Sequence, residues 1–79
     1  MGGWRLRPQK CKDVRKALEN LGFELKRQNA SSHEQWEGWI GGKRRLVTLA
    51  CHNGEVKTKD LHSIIAQTGV SRHEFIKHL

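Results

Sequence analysis

Through the middle of the chain, apolar and polar positions alternate with a period of two. Trp36, Gly38 and Ile40 lead into the turn-forming run Gly41-Gly42-Lys43-Arg44, and Val47, Leu49 and Cys51 answer on its far side. Successive strand residues point to opposite faces, so two such runs joined by glycines predict an antiparallel hairpin with one apolar face. A four-residue loop sets Trp36 against Leu49, Gly38 against Val47 and His33 against His52; a two-residue loop moves His52 two places along. In either register Trp36, Ile40, Val47 and Leu49 face inward, and His33, Gln35, Trp39, Thr48 and His52 share the wetter face.

On either side of the hairpin the period changes. Val14, Ala17, Leu18 and Leu21 fall at the spacing of an amphipathic helix. Gly22 is placed for the left-handed position after that helix, and Phe23 folds back toward Leu18. Phe23-Glu24-Leu25-Lys26-Arg27 alternates as a half-buried first strand, and Gln28 to Ser32 is a polar loop. Beyond the Asn53-Gly54 turn, Leu61, Ile64 and Ile65 predict a second helix ending at Gly69. Ser71-Arg72-His73-Glu74 is a capping box, with Val70 and Phe75 as its hydrophobic staple, which starts a short last helix. Residues 1 to 9, including Trp4, have no apolar period and are expected to form a loose arm. The order is therefore α-β-β-β-α, an α+β fold with helices on one face of a three-stranded antiparallel sheet, in one domain over 1–79.

With 79 residues the chain buries roughly 60% of the surface its unfolded form exposes, too little for a deep substrate cavity. Fifteen basic against eight acidic residues give a net charge of +7, a balance that suits nucleic acid or an acidic protein and also serves plain solubility. Lys10, Lys12, Arg15 and Lys16 gather at the start of the first helix, against its dipole. That placement fits a phosphate or carboxylate partner, or simply a solvated face. Cys11 and Cys51 lack metal-ligand or redox-motif spacing and are expected as reduced thiols in a cytoplasmic protein, with no metal and no cofactor. There is no leader-like apolar segment and no membrane-length apolar run.

The candidate chemistry rests on histidine, the side chain best suited to move protons near neutral pH. Cleaving RNA needs a base for the 2′-hydroxyl proton, an acid for the leaving oxygen and cations on the phosphate. No carboxylate cluster or phosphate-cradling glycine loop offers another route. Taken alone, an exposed histidine is more often a surface residue than a catalyst. Trp39 is read three ways: stacking on a base, anchoring a protein partner, or lying under the N-terminal arm.

From Asp13 to Leu79 the chain resembles the HicA-type toxins, mRNA interferases of HicAB toxin–antitoxin modules. The residues that carry the likeness are Leu18, Leu21-Gly22-Phe23, Arg27, Ser32-His33, Trp36, Val47 to Gly54, Leu61 to Ser71 and Glu74-Phe75-Ile76. The resemblance implies a fold like the double-stranded-RNA-binding domain, endoribonuclease activity on mRNA, inhibition by a HicB-type antitoxin, and a catalytic histidine at His33. Ser31 stands where the family usually has glycine, Ala50 where proline is common, and Lys59-Asp60 where Gly-Thr is common. His52 is either the acid partner of His33 or merely a strand end. Lys26, Arg27 and Lys57 are candidate RNA phosphate contacts by position and charge, beside Trp39. A non-catalytic basic RNA-binding module is the alternative from another class, and a pure protein-interaction domain is compatible with both.

Overall fold

The computed structural model describes residues 6–28 and 33–79; Trp4, Ser31 and Ser32 lie outside the described residues. In chain order the elements are β1 (Gln9–Lys10), α1 (Cys11–Asn20), β2 (Glu24–Gln28), β3 (His33–Ile40), β4 (Lys43–Ala50), β5 (Glu55–Val56), α2 (Thr58–Thr68) and α3 (Arg72–Lys77). β2, β3 and β4 form an antiparallel meander, and β1 pairs with β5 in a separate two-stranded ribbon.

The turn decides the register. Gly41 (φ 63°) and Gly42 (φ 76°) both take left-handed backbone, the requirement of a two-residue hairpin loop. The shorter loop therefore holds: Trp36 faces Val47, Glu34 faces Leu49 and His33 faces Ala50. The expected inward set is buried at Trp36, Val47 and Leu49, with Ile40 partly buried against it. Gly38 is held by space, because a Cβ there would lie 2.7 Å from the Phe23 ring.

The helices cover that face. Val14, Ala17 and Leu18 of α1 meet Leu61, Ile64 and Ile65 of α2, with Val56 and Phe75, in one core. α1 ends as the sequence predicts: Gly22 sits at φ 94°, its N–H donates to the Glu19 carbonyl at 3.0 Å, and the Phe23 N–H donates to the Leu18 carbonyl at 2.9 Å. α2 ends at left-handed Gly69, and the Ser71 hydroxyl accepts from the Glu74 N–H at 3.0 Å to start α3. Thr48 turns its N–H away from β3 and donates to the Gln67 side chain of α2 at 2.8 Å.

Three expectations change. The arm is docked from Leu6 onward: Leu6 packs against the core, its carbonyl accepts from the Thr58 hydroxyl at 3.1 Å, and Gln9–Lys10 pairs with β5. β2 is exposed along its whole length, because a register irregularity between Leu25 and Arg27 breaks its alternation. Cys11 and Cys51, expected as free thiols, are joined in a disulfide with Cα atoms 6.0 Å apart. The hairpin returns the end of β4 to the start of α1, a proximity that a separation of 40 residues conceals. Among the described residues no helix is long and apolar enough to cross a membrane.

Candidate functional site

The period of two assigns opposite tasks to neighbouring residues at the start of β3. His33 is the first residue of the strand, half-buried, at an odd position whose side chain points away from the helices. Glu34 points the other way and is 2% exposed. A carboxylate so placed needs compensation, and Arg15 of α1 supplies it. Arg15 Nε donates to both carboxylate oxygens at 3.1 and 2.9 Å, Nη2 donates to Oε2 at 2.6 Å, and the Trp36 indole N–H donates to Oε1 at 3.0 Å. Burial pushes the Glu34 carboxyl up, but the Arg15 hydrogen bonds, the Trp36 hydrogen bond and the Arg15 charge overcome it and hold the group below the usual carboxylate range. The same hydrogen bonds raise the Arg15 guanidinium. The strand end that presents His33 is thus clamped to α1 through the next residue.

Behind the clamp is a cavity of ≈ 270 Å³, lined by Arg15, Glu34 and Gln28, the disulfide sulfurs' residues Cys11 and Cys51, and the Asn53-Gly54 turn. That turn closes a tight hairpin in which His52 and Glu55 exchange backbone hydrogen bonds at 2.8 and 2.9 Å, with Asn53 at φ 54° and Gly54 at φ 79°. The Gly54 carbonyl accepts the first N–H of α1 at 2.9 Å.

Three further candidates, Lys26, Arg27 and Trp39, are on the sheet itself. Arg27 lies opposite Gln35, two residues along β3 from His33. Lys26 is matched to carboxylates, 3.1 Å from Glu24 and 3.9 Å from Glu37, and Glu37 also accepts from Arg44. The Arg44 hydrogen bond, with the nearby Arg44 and Lys26 charges, holds the Glu37 carboxyl low. Between these groups is a second depression, of ≈ 430 Å³, bordered by Lys26, Arg27, Gln35, Arg44 and Leu46. Trp39 is 66% exposed. It lies six residues from His33 on the same strand, roughly 20 Å away at the rise of an extended chain.

The structure thus brings His33 and Arg27 onto adjacent strands and sets Trp39 at the far end of the same face. It does not place His52 opposite His33: Ala50 occupies that position, and His52 is exposed in the following hairpin. Lys57 precedes α2, next to the ribbon rather than in the sheet. Among the described residues no group of three or more His, Cys, Asp or Glu side chains is arranged to hold a metal ion. Sequence reasoning missed the Arg15–Glu34–Trp36 cluster and the disulfide. The first had a signal, since extending the inward set of β3 back by one step lands on Glu34 and puts a charge on the core face.

Neither a curated protein nor a solved structure matches the chain. A family model described as the HicA toxin of bacterial toxin–antitoxin matches residues 11–70, from the first residue of α1 to the loop after α2. That span takes in the whole sheet and both longer helices, so the chain belongs to the HicA toxin family and is the toxin of a toxin–antitoxin pair.

Proposed function

We propose that the chain is an endoribonuclease that cleaves mRNA in the cytoplasm, with His33 as its proton-transfer residue. His33 takes the proton from a ribose 2′-hydroxyl, the oxygen attacks the adjacent phosphorus, and the 5′-oxygen of the next nucleotide leaves with a proton. The observation that carries this reading is the setting of His33: half-buried at the start of β3, facing away from the helices, with Arg27 on the neighbouring strand. The Glu34 clamp supports it, because a general base must be held still to act. Arg27 is the nearest candidate cation for the phosphate. Lys26, already between two carboxylates, and Lys57, beside the ribbon, contribute to the longer-range field. His52 is the second imidazole near that end of the sheet and the candidate for protonating the leaving oxygen.

The partner implied by membership of a toxin–antitoxin family is, in this reading, a HicB-type antitoxin with an acidic surface that covers the open face. Charge complementarity with a +7 chain would speed its association.

His33→Ala is the decisive variant. Its rate of RNA cleavage is expected to fall by about 10²–10⁴-fold, the usual contribution of a positioned acid–base group, with an unchanged circular dichroism spectrum. Undiminished cleavage would remove the proposal. A non-catalytic RNA-binding module is the second reading, favoured by Trp39, whose exposed indole is far from His33. RNA shifted in a gel but left intact by the wild-type chain would favour it. In either case binding weakens with salt, with a slope of about −0.7 per phosphate neutralised on a single strand.

A further inference from the structure

The Cys11–Cys51 disulfide takes no part in the proton chemistry assigned to His33, and its surroundings differ from those of an inert staple. Cys11 opens α1 and is 4% exposed, at the end of the helix where the dipole favours negative charge. Cys51 is the less buried of the two and borders the ≈ 270 Å³ cavity, with Arg15 Nη2 3.7 Å from its sulfur. A cation beside one sulfur and a helix N-terminus at the other both favour thiolate over thiol, which makes each cysteine a better leaving group in sulfur exchange. Where glutathione keeps thiols reduced, a disulfide that exists at all is more often redox-sensing than structural.

We propose that this pair is a thiol–disulfide exchange site for a small anionic thiol. The thiolate enters the cavity, drawn by Arg15, and attacks Cys51 Sγ. A bond forms between the two sulfurs, the Cys11–Cys51 bond breaks, and its electron pair leaves on Cys11 Sγ as a thiolate. A second small thiolate attacks the incoming sulfur of the mixed disulfide, releasing a small disulfide and the Cys51 thiolate. The reverse sequence, with the small disulfide as the two-electron oxidant, restores the bond.

The exchange also reaches His33. In the open form the Cys51 thiolate and the Glu34 carboxylate compete for the Arg15 guanidinium, and Glu34 is the residue that follows His33 on β3. Opening the disulfide therefore loosens the clamp and lowers cleavage. This second consequence rests on the ribonuclease reading; the exchange itself does not.

The test mixes the full disulfide-bonded chain with reduced glutathione, quenches samples with acid at early times before equilibrium, alkylates them and analyses them by peptide mass. Glutathione is expected on the Cys51 peptide in roughly tenfold excess over the Cys11 peptide, given the difference in access and leaving group. Arg15→Ala should slow opening several-fold, and Arg15→Lys, which keeps the charge and a partner for Glu34, should recover most of the rate. Equal labelling of the two cysteines, or a bond that opens only after denaturation, overturns the proposal. None of these readings involves RNA, so they stand or fall apart from His33. For the coupling, oxidised and reduced wild-type chains are compared in RNA cleavage: slower turnover in the reduced chain supports it, and equal rates overturn it.

Discussion

The β3–β4 hairpin has two faces made from the same two strands, and they differ in almost every respect. The inner face carries Trp36, Val47 and Leu49, all at 2% exposure or less, and the buried charge on it, Glu34, is fully engaged. The outer face carries His33, Gln35, Glu37 and Trp39 opposite Ala50, Thr48, Leu46 and Arg44, with Leu46 at 53% and Trp39 at 66% exposure. Polar and apolar side chains are mixed there, ion pairs are exposed, and each group is near solvent. The inner face is committed to packing, whereas the outer face is turned to solvent. Alternation within a strand thus separates the packed side of the sheet from its solvent-facing side at a spacing of one residue, and His33 and Glu34 are the closest instance.

The contrast can be broken by substitution. Leu49→Ala removes packing from a wholly buried position and should cost about 2–5 kcal/mol in urea denaturation; a similar cost for Thr48→Ala, its outward neighbour, would erase the distinction. Glu34→Gln keeps the shape but removes the charge that Arg15 answers, and about 1–3 kcal/mol of stability should go with it. This effect has a pH signature. The Glu34 carboxyl is held below its ordinary value of 4.5 in the folded chain, so its contribution is complete above that value and is lost as pH falls through the lower folded value. The difference between wild type and Glu34→Gln in denaturation midpoint should therefore shrink on acidification from neutral pH; a gap that widens would contradict the assignment. The smallest stability change belongs to Trp39→Ala, expected within about 0.5 kcal/mol. The same variant should lose about 1–3 kcal/mol of affinity for single-stranded RNA if its indole stacks on a base, measured by fluorescence titration.

Much of this was legible in the order of residues. Trp36, Val47 and Leu49 announced the inner face, Gly22 and Gly69 the helix ends, and Ser71 with Glu74 the last cap, because each depends on local geometry. The register was narrowed to two by parity, and the left-handed backbone of Gly41 and Gly42 selects between them. What escaped depends on contacts between distant segments. The ribbon joins Gln9–Lys10 to Glu55–Val56 across most of the chain, and strands of two residues carry no period to detect. Arg15 read as one of four cations on a helix face, and only the fold reveals that Glu34 claims it. The disulfide is of the same kind. At the candidate site, His33 was nominated by resemblance and its outward aspect by parity, but its clamp and its offset from His52 needed coordinates.

The hydrogen bond from the Thr48 amide to Gln67 has one more consequence. β4 borders the sheet, and a bordering strand offers its unused amides as a template on which another chain can zip. A side chain from α2 takes up one of those amides from within the same molecule. The helix that shelters the core thus also takes one open amide of the border strand out of reach of a second chain.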